Sequence, residues 1–347
     1  MPKYDLWGHT DLDIEIPEDV FPDEEFRKGL DAFLENPTHD YFESTYKQKK
    51  LHYFSKLPPG GKVRAVVVYQ HGIHAHSGWG CTVPSDGRCT DTGLRVKMMT
   101  AKGYAVYGHD QLGHGYSEGQ RFYIPKGDWT INRDDLVAFA KLVASKHPPG
   151  TPLFLSGESY GGCLALNASH ALWNDPDKPE GFRGCVVGCP ALHGDLPVWP
   201  VRAFLRYIVQ PMAPTWTPFF MPDPITPQRI WKDDEVRAIW TDGSREKGLS
   251  MAGKPFCLGT AVGLLRGLEE SQALFSEIAF PFHINHGTED HGVPISGSRE
   301  LYEKCQTPAA DKELNEIEGS YHAFLAEVGA EKHMQHEIDW MEKRIPA

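Results

Sequence analysis

The sequence predicts an α/β fold: a mostly parallel central sheet flanked by helices, interrupted by an inserted, mainly helical cap. Three observations predict it. Short continuous apolar runs such as Ala65-Val66-Val67-Val68-Tyr69 alternate with helical periodicity, as buried parallel strands joined by helical crossovers do. One such run, Leu153-Phe154-Leu155, leads through Gly157-Glu158-Ser159-Tyr160-Gly161 directly into a helical pattern. The alternation then lapses over residues 195–277 and resumes at Phe280-Pro281-Phe282-His283-Ile284-Asn285.

Composition bounds the rest. With 347 residues, 40% of them hydrophobic, the chain can bury a core that needs no disulfide or metal staple. A net charge of -12 without any dense Lys/Arg block argues against nucleic acid as a partner. The acidic first residues offer neither the basic start nor the apolar run of a secretory signal, and no apolar stretch is long enough to span a bilayer. A cytoplasmic protein, at most peripheral to a membrane, is expected. Cys163, Cys185, Cys189 and Cys257 lie in apolar surroundings and read as reduced core residues. Cys81 and Cys89 flank a polar loop and form the one pair that could bridge in an oxidising compartment; reduced thiols are expected there too.

In chain order, residues 1–47 read as a polar N-terminal extension with some helix over 23–34; residues 48–194 and 278–347 form the core, and 195–277 the cap. Leu51-His52-Tyr53-Phe54 is a strand, Pro58-Pro59-Gly60-Gly61 a turn, and Ala65 to Tyr69 a buried strand ending at His71-Gly72-Ile73. Residues 78–91 read as a loop, and 94–102 as a helix stopped by Gly103. Tyr104-Ala105-Val106-Tyr107 is the next strand. The helix over 132–147 places Leu136, Phe139, Ala140 and Val143 on one face and stops at Pro148. Helix 160–173, strand Cys185-Val186-Val187-Gly188, helix 296–305, strand Glu313-Leu314-Asn315-Glu316-Ile317 and helix 330–343 complete the core. The cap carries many prolines together with Trp199, Trp216, Phe219, Phe220 and Trp231, which are expected to wall an apolar binding site. No long exposed apolar helix is read in it.

Gly-x-Ser-x-Gly between a strand and a helix is the pattern of a nucleophile elbow, which holds the serine hydroxyl clear at the end of the strand. A serine hydroxyl is a poor nucleophile at neutral pH, so a base must take its proton and a carboxylate must orient that base. In a strand–elbow–helix frame the order is serine, acid, histidine. There are 17 histidines, so position must choose. Asp290 follows the strand ending at His286-Gly287, and His322 follows the last strand, so Ser159, Asp290 and His322 fit. Glu289 stands next to Asp290 as a competing acid. His291, His333 and His336 are competing histidines, whereas His283 and His286 precede the acid. The oxyanion calls for two donors, read as the backbone N–H groups of Ile73 and Tyr160. His71, His74, His76, His109 and His114 are dense, but no His-Glu-x-x-His helix occurs, and neither a metal nor a cofactor is expected. Asp110 also follows a strand, but an aspartate nucleophile would stand at the elbow in place of Ser159.

Taken together, His71-Gly72 with His76-Ser77-Gly78, Asp110-Gln111-Leu112-Gly113-His114-Gly115-Tyr116-Ser117-Glu118-Gly119, the elbow, His286-Gly287-Thr288-Glu289-Asp290 and Gly319-Ser320-Tyr321-His322 resemble the monoacylglycerol lipase and lysophospholipase branch of the α/β-hydrolases, a serine aminopeptidase S33-like hydrolase domain. Gly253-Lys254-Pro255, Thr260-Ala261 and Leu264-Leu265-Arg266 look like the end of that branch's cap. The resemblance implies the triad and oxyanion donors named above. It implies hydrolysis of a carboxylic ester through an acyl-enzyme on Ser159, without cofactor, with monoacylglycerol as the expected lipid ester substrate. Lysophospholipids are the other family substrates. A carboxylesterase or acyltransferase on smaller esters is the alternative, and a non-enzymatic relative is disfavoured because all three triad positions are filled. Contact with a membrane surface through the cap is also expected. Ala75 stands where the family often has Glu, and Glu158 and Tyr160 replace the usual His and Met of the elbow. Tyr160 is expected to narrow the pocket beside the oxyanion hole, and residues 79–91 read as an insertion near its mouth.

Overall fold

The computed structural model describes residues 28, 31–32, 34–78, 84–194, 196–219, 221, 225–241 and 255–346. Among these, eight strands form one sheet: β1 (Thr38–Glu43), β2 (Lys50–Lys56), β3 (Ala65–Gln70), β4 (Tyr104–His109), β5 (Leu153–Glu158), β6 (Phe182–Gly188), β7 (Phe282–Gly287) and β8 (Lys312–Ile317). Their order is β1-β2-β4-β3-β5-β6-β7-β8. The β1–β2 and β2–β4 pairs are antiparallel, and every later pair is parallel. All residues of β3, β4 and β7 are buried, and β3 and β4 accordingly open with unbroken apolar runs, whereas β7 carries the buried polar His283, Asn285 and His286.

Helices cover both faces. Successive strand residues point to opposite sides. Val66 and Val68 therefore join one core layer with Leu155 and the face of α2 (Thr130–Ser145) that carries Leu136 and Phe139, together with Leu164 and Leu172 of α3 (Tyr160–Trp173). Ala65, Val67 and Phe154 join the other layer, with Val96 and Met99 of α1 (Asp91–Ala101). The cap contributes α4 (Trp199–Phe204), a π-helical stretch (Leu205–Val209), α5 (Gln210–Met212), α6 (Pro227–Ile230), α7 (Asp234–Thr241) and α8 (Leu258–Ala273). Two further core helices follow, α9 (Ser296–Lys304) and α10 (Glu331–Glu342), and Met334 and Trp340 of α10 complete the second layer.

Three sequence expectations change. The reading of residues 1–47 as a polar N-terminal extension changes over Thr38–Glu43, which is the sheet's edge strand, paired with β2 along its whole length. Ser44 and Thr45 then tie it to α2, their hydroxyls donating to the buried Asp135 carboxylate at 2.7 Å. Only Phe42 of that strand is buried, so no apolar alternation announced it. The helix expected over 23–34 lies largely outside the described residues, and so do Cys81 and Phe220. Cys89 is a half-buried free thiol.

Second, the cap aromatics do not all face inward. Trp231 is buried, but Trp199 is 70% exposed and Phe219 97%. Third, the cap does hold an exposed apolar helical face. Val201, Phe204, Ile208 and Met212 recur at helical spacing and stand exposed, with Tyr207 beside them. The cap is rooted by α8. Asn167 Nδ2 on α3 donates to Ser271 Oγ at 2.7 Å, and Trp129 Nε1 donates to Glu270 at 2.7 Å.

Candidate active site

β3 lies between β4 and β5, so the strand order reverses there and opens a crevice at the carboxyl ends of β3 and β5. The loop beginning at His71-Gly72 leaves from one of these strands and Ser159 from the other. Ser159 sits between β5 and α3 at φ 57°, ψ −126°, a region that non-glycine residues enter only when surroundings hold them there. The hold is visible. Ser159 N–H donates to Gly188 O at 3.0 Å, and Ser159 O accepts from Cys163 N–H at 3.1 Å and Ala191 N–H at 2.9 Å. Two glycines allow the close approach. A Cβ on Gly161 would lie 2.2 Å from Gln70 O, and one on Gly72 would lie 3.2 Å from Ser159 Cβ.

The acid and the histidine come together as expected. His322 Nδ1–H donates to Asp290 Oδ2 at 2.7 Å, while Asp290 Oδ1 accepts the N–H groups of Gly292 and Val293, each at 2.8 Å. His286 Nε2 lies 3.3 Å from the same Oδ2. Burial works against the Asp290 charge, but His322 and His286 outweigh it and hold the carboxyl well below the usual carboxylate range. Burial likewise disfavours the His322 imidazolium, and Asp290 more than compensates, so the His322 pKa is raised. Glu289 and His291 point to solvent. His336 pairs with Glu313 at 2.6 Å, and His333 packs edge-on to Phe324. Among the described histidines, only His322 and His74 line the cavity at Ser159.

Ile73 also lines that cavity. Tyr160 opens α3, where the first N–H groups have no acceptor within the helix. Its side chain corrects an expectation. The phenol is buried against α2, where Asn132 Nδ2 donates to its Oη at 3.3 Å; it does not line the cavity and does not narrow it.

The loop histidines act as ties. His71 Nε2 accepts the Gln111 N–H at 3.0 Å and its Nδ1–H donates to Gly72 O at 2.7 Å, which fixes the turn beside Ser159. Burial brings the His71 pKa down to about 3, so the ring is neutral. Asp110 gathers the His52 Nδ1–H at 2.8 Å, the Ser77 N–H at 2.6 Å and the Tyr116 N–H at 2.9 Å. Among the described residues, the one set of three metal-type side chains within 4.8 Å is Cys189, His286 and Asp290, and the loop histidines form none.

The cavity at Ser159 has a volume of about 70 Å³. Ile225, Ile230 and Trp231 of the cap line it as apolar side chains, and Asp91 and Glu158 line it as acids. Sequence reasoning missed a buried network behind the elbow. The Arg95 guanidinium is 1% exposed and donates to Glu158 at 2.5 Å, to Glu337 at 2.9 Å and to Ser156 Oγ at 3.1 Å, stacked over the Tyr69 ring. No pattern could have found it, because its members come from α1, β5 and α10, and each charge taken alone reads as solvated.

Comparison with known proteins agrees with this geometry. Residues 61–329 match the family described as serine aminopeptidase, S33. Caffeoylshikimate esterase of Arabidopsis thaliana is 27% identical over 95% of this chain and 90% of its own length. Monoglyceride lipase of Rattus norvegicus is 26% identical over 83% of this chain and 85% of its own. Among solved structures, a monoglyceride lipase from Saccharomyces cerevisiae superposes with a TM-score of 0.67 at 19% identity, over 90% of this chain and 96% of that one. The elbow, the reversed strand order and the match over residues 61–329 have one reading: the chain belongs to the serine aminopeptidase, S33 family of α/β-hydrolases, in the branch that includes the monoglyceride lipases.

Proposed function

We propose that the protein is a serine hydrolase of carboxylic esters that bear one acyl chain on a small hydroxylated alcohol, monoacylglycerol being the expected case. The observation that carries this reading is the 2.7 Å His322–Asp290 pair facing the same cavity as a serine held at positive φ. In this reading the neutral His322 Nε2 takes the Ser159 proton as Oγ attacks the ester carbonyl carbon. The carbonyl oxygen gains negative charge, received by the N–H groups of Ile73 and Tyr160 and by the N-terminus of α3. His322 then gives the proton to the departing alcohol, leaving an acyl-enzyme on Ser159. Water, deprotonated by the same imidazole, releases the acid. Asp290 fixes the tautomer with the proton on Nδ1 and stabilises the imidazolium. Relatives named as monoglyceride lipases and as an esterase support the reaction class.

A second reading concerns the acyl group. The cavity of about 70 Å³ is small beside the roughly 300–1,000 Å³ of most ligand pockets. That favours smaller acyl groups, as in the alternative of a carboxylesterase. The test is kcat/KM across glycerol monoesters of increasing acyl length, kept below aggregation, beside aryl and acetate esters and a triacylglycerol emulsion. A rise with chain length supports the monoacylglycerol reading. A preference for acetate, or equal activity on triacylglycerol, overturns it.

The exposed stripe of Val201, Phe204, Ile208 and Met212, with Trp199 at its start, supports contact with a lipid surface through the cap. Among the described residues no helix is long and apolar enough to cross a membrane. Co-sedimentation with phosphatidylcholine vesicles should fall several-fold in Phe204→Ser/Ile208→Ser. Unchanged sedimentation would discard this surface.

A further inference from the structure

The ester-hydrolase reading leaves one group in the cavity without a task. Asp91 is 2% exposed, yet it lines the same cavity as Ser159 and His322. Among the described residues its Oδ2 has no hydrogen-bond partner. A buried carboxyl oxygen left unsatisfied is costly, and such atoms in a folded protein call for an explanation. The backbone adds to the cost, since Asp91 stands at φ 42°, in the left-handed region, at the first residue of α1. Its neighbour Glu158 is differently placed, because Arg95 already compensates that carboxylate. The two acids thus line, with one oxygen unused, the same cavity as the apolar Ile225, Ile230 and Trp231. A cavity lined by both acids and apolar side chains can sort an amphiphilic ester by orientation, the acyl group along the apolar residues and the alcohol toward the acids.

We infer that Asp91, backed by Glu158, binds a hydroxyl of the substrate's alcohol and thereby sets specificity for esters of polyols. The inference rests on the ester-hydrolase reading of Ser159 and names the subsite for the leaving group. Burial and then the Glu158 charge raise the Asp91 pKa well above the usual carboxylate range, which favours the protonated carboxyl. A neutral carboxyl donates one hydrogen bond and accepts another. A hydroxyl answers both.

The test compares a glycerol monoester with the methyl ester of the same acid, both below aggregation, in wild type, Asp91→Gly and Asp91→Asn. Glycine suits the backbone at φ 42° and removes the carboxyl; asparagine keeps a donor and an acceptor in the same shape. The expected result is a loss of about tenfold or more in kcat/KM on the glycerol ester in Asp91→Gly, with the methyl ester changed less than about threefold. Asp91→Asn should retain most of the preference for the glycerol ester. Equal losses on both esters would make Asp91 a structural residue and overturn the inference. Unchanged kinetics on both would overturn it as well. Should Asp91→Gly fail to fold, Asp91→Ala carries the same comparison. A wild type active on the methyl ester but not on the glycerol ester overturns the subsite and leaves the hydrolase. A wild type inactive on both overturns the hydrolase reading and the subsite with it.

Discussion

His322 Nδ1 and Asp290 Oδ2 stand 2.7 Å apart, although they belong to two separate loops, one after β8 and one after β7. The parallel register of β7 and β8 sets both loops at the same sheet edge, and the Gly292 and Val293 N–H groups keep the carboxylate turned toward the ring. Removing one partner of this pair should therefore leave the fold and take the chemistry.

Ser159→Ala should give a folded protein whose kcat is lower by roughly 10⁴–10⁶, and Asp290→Asn should lose on the order of 10⁴ through the wrong tautomer. Glu289→Gln should stay near wild type, because that side chain is exposed. Steady-state kinetics of the three variants checks the assignment, and a greater loss in Glu289→Gln than in Asp290→Asn would move the acid.

The pH profile follows from the same pair. Only the neutral His322 accepts the serine proton, and Asp290 raises the pKa of the ring above the ordinary value despite burial. Activity should be full above this raised pKa and fall with a single protonation as pH drops through it. The acid limb of kcat/KM should lie above about 6.5, the pKa of a free histidine side chain. A midpoint at or below that value would mean that Asp290 does not control the base. A chelator should leave the profile unchanged.

Arg95→Leu should be among the more damaging substitutions distant from the chemistry. It leaves Glu337, which is fully buried, and Glu158 without their shared cation. Breaking one side of a buried ion pair costs about 3–5 kcal/mol. Urea denaturation measures it, and a loss under about 1 kcal/mol would show that the two carboxyls do not depend on Arg95.

Ile230→Ala should shift acyl preference. Ile230 is buried and stands at the apolar wall of a cavity of about 70 Å³. Truncating it opens room along the wall, and each further methylene buried there is worth up to about 0.8 kcal/mol. The ratio of kcat/KM between a decanoyl and a butyryl glycerol ester should rise several-fold. An unchanged ratio would mean that the chain does not run past Ile230.

The sequence by itself determined the frame of this protein. Buried parallel strands such as β3 and β4 open with continuous apolar runs, so their positions were readable from one element at a time. The elbow was readable because a strand-to-helix turn that tight requires Gly161 and admits Ser159 only at positive φ. The order of strands then chose Asp290 and His322 from many acids and histidines. Tertiary structure alone decided the rest. Thr38–Glu43 became a strand because β2 offered an unpaired edge, not because of its own pattern. The direction of Tyr160, toward Asn132 and away from the cavity, depends on how α2 packs on α3. The outward turn of Trp199 and Phe219 and the meeting of Arg95 with Glu158 and Glu337 likewise involve several elements at once. Local sterics and burial periodicity are written into neighbouring residues. Which way a side chain faces, and which distant charge it meets, is fixed only when the elements pack.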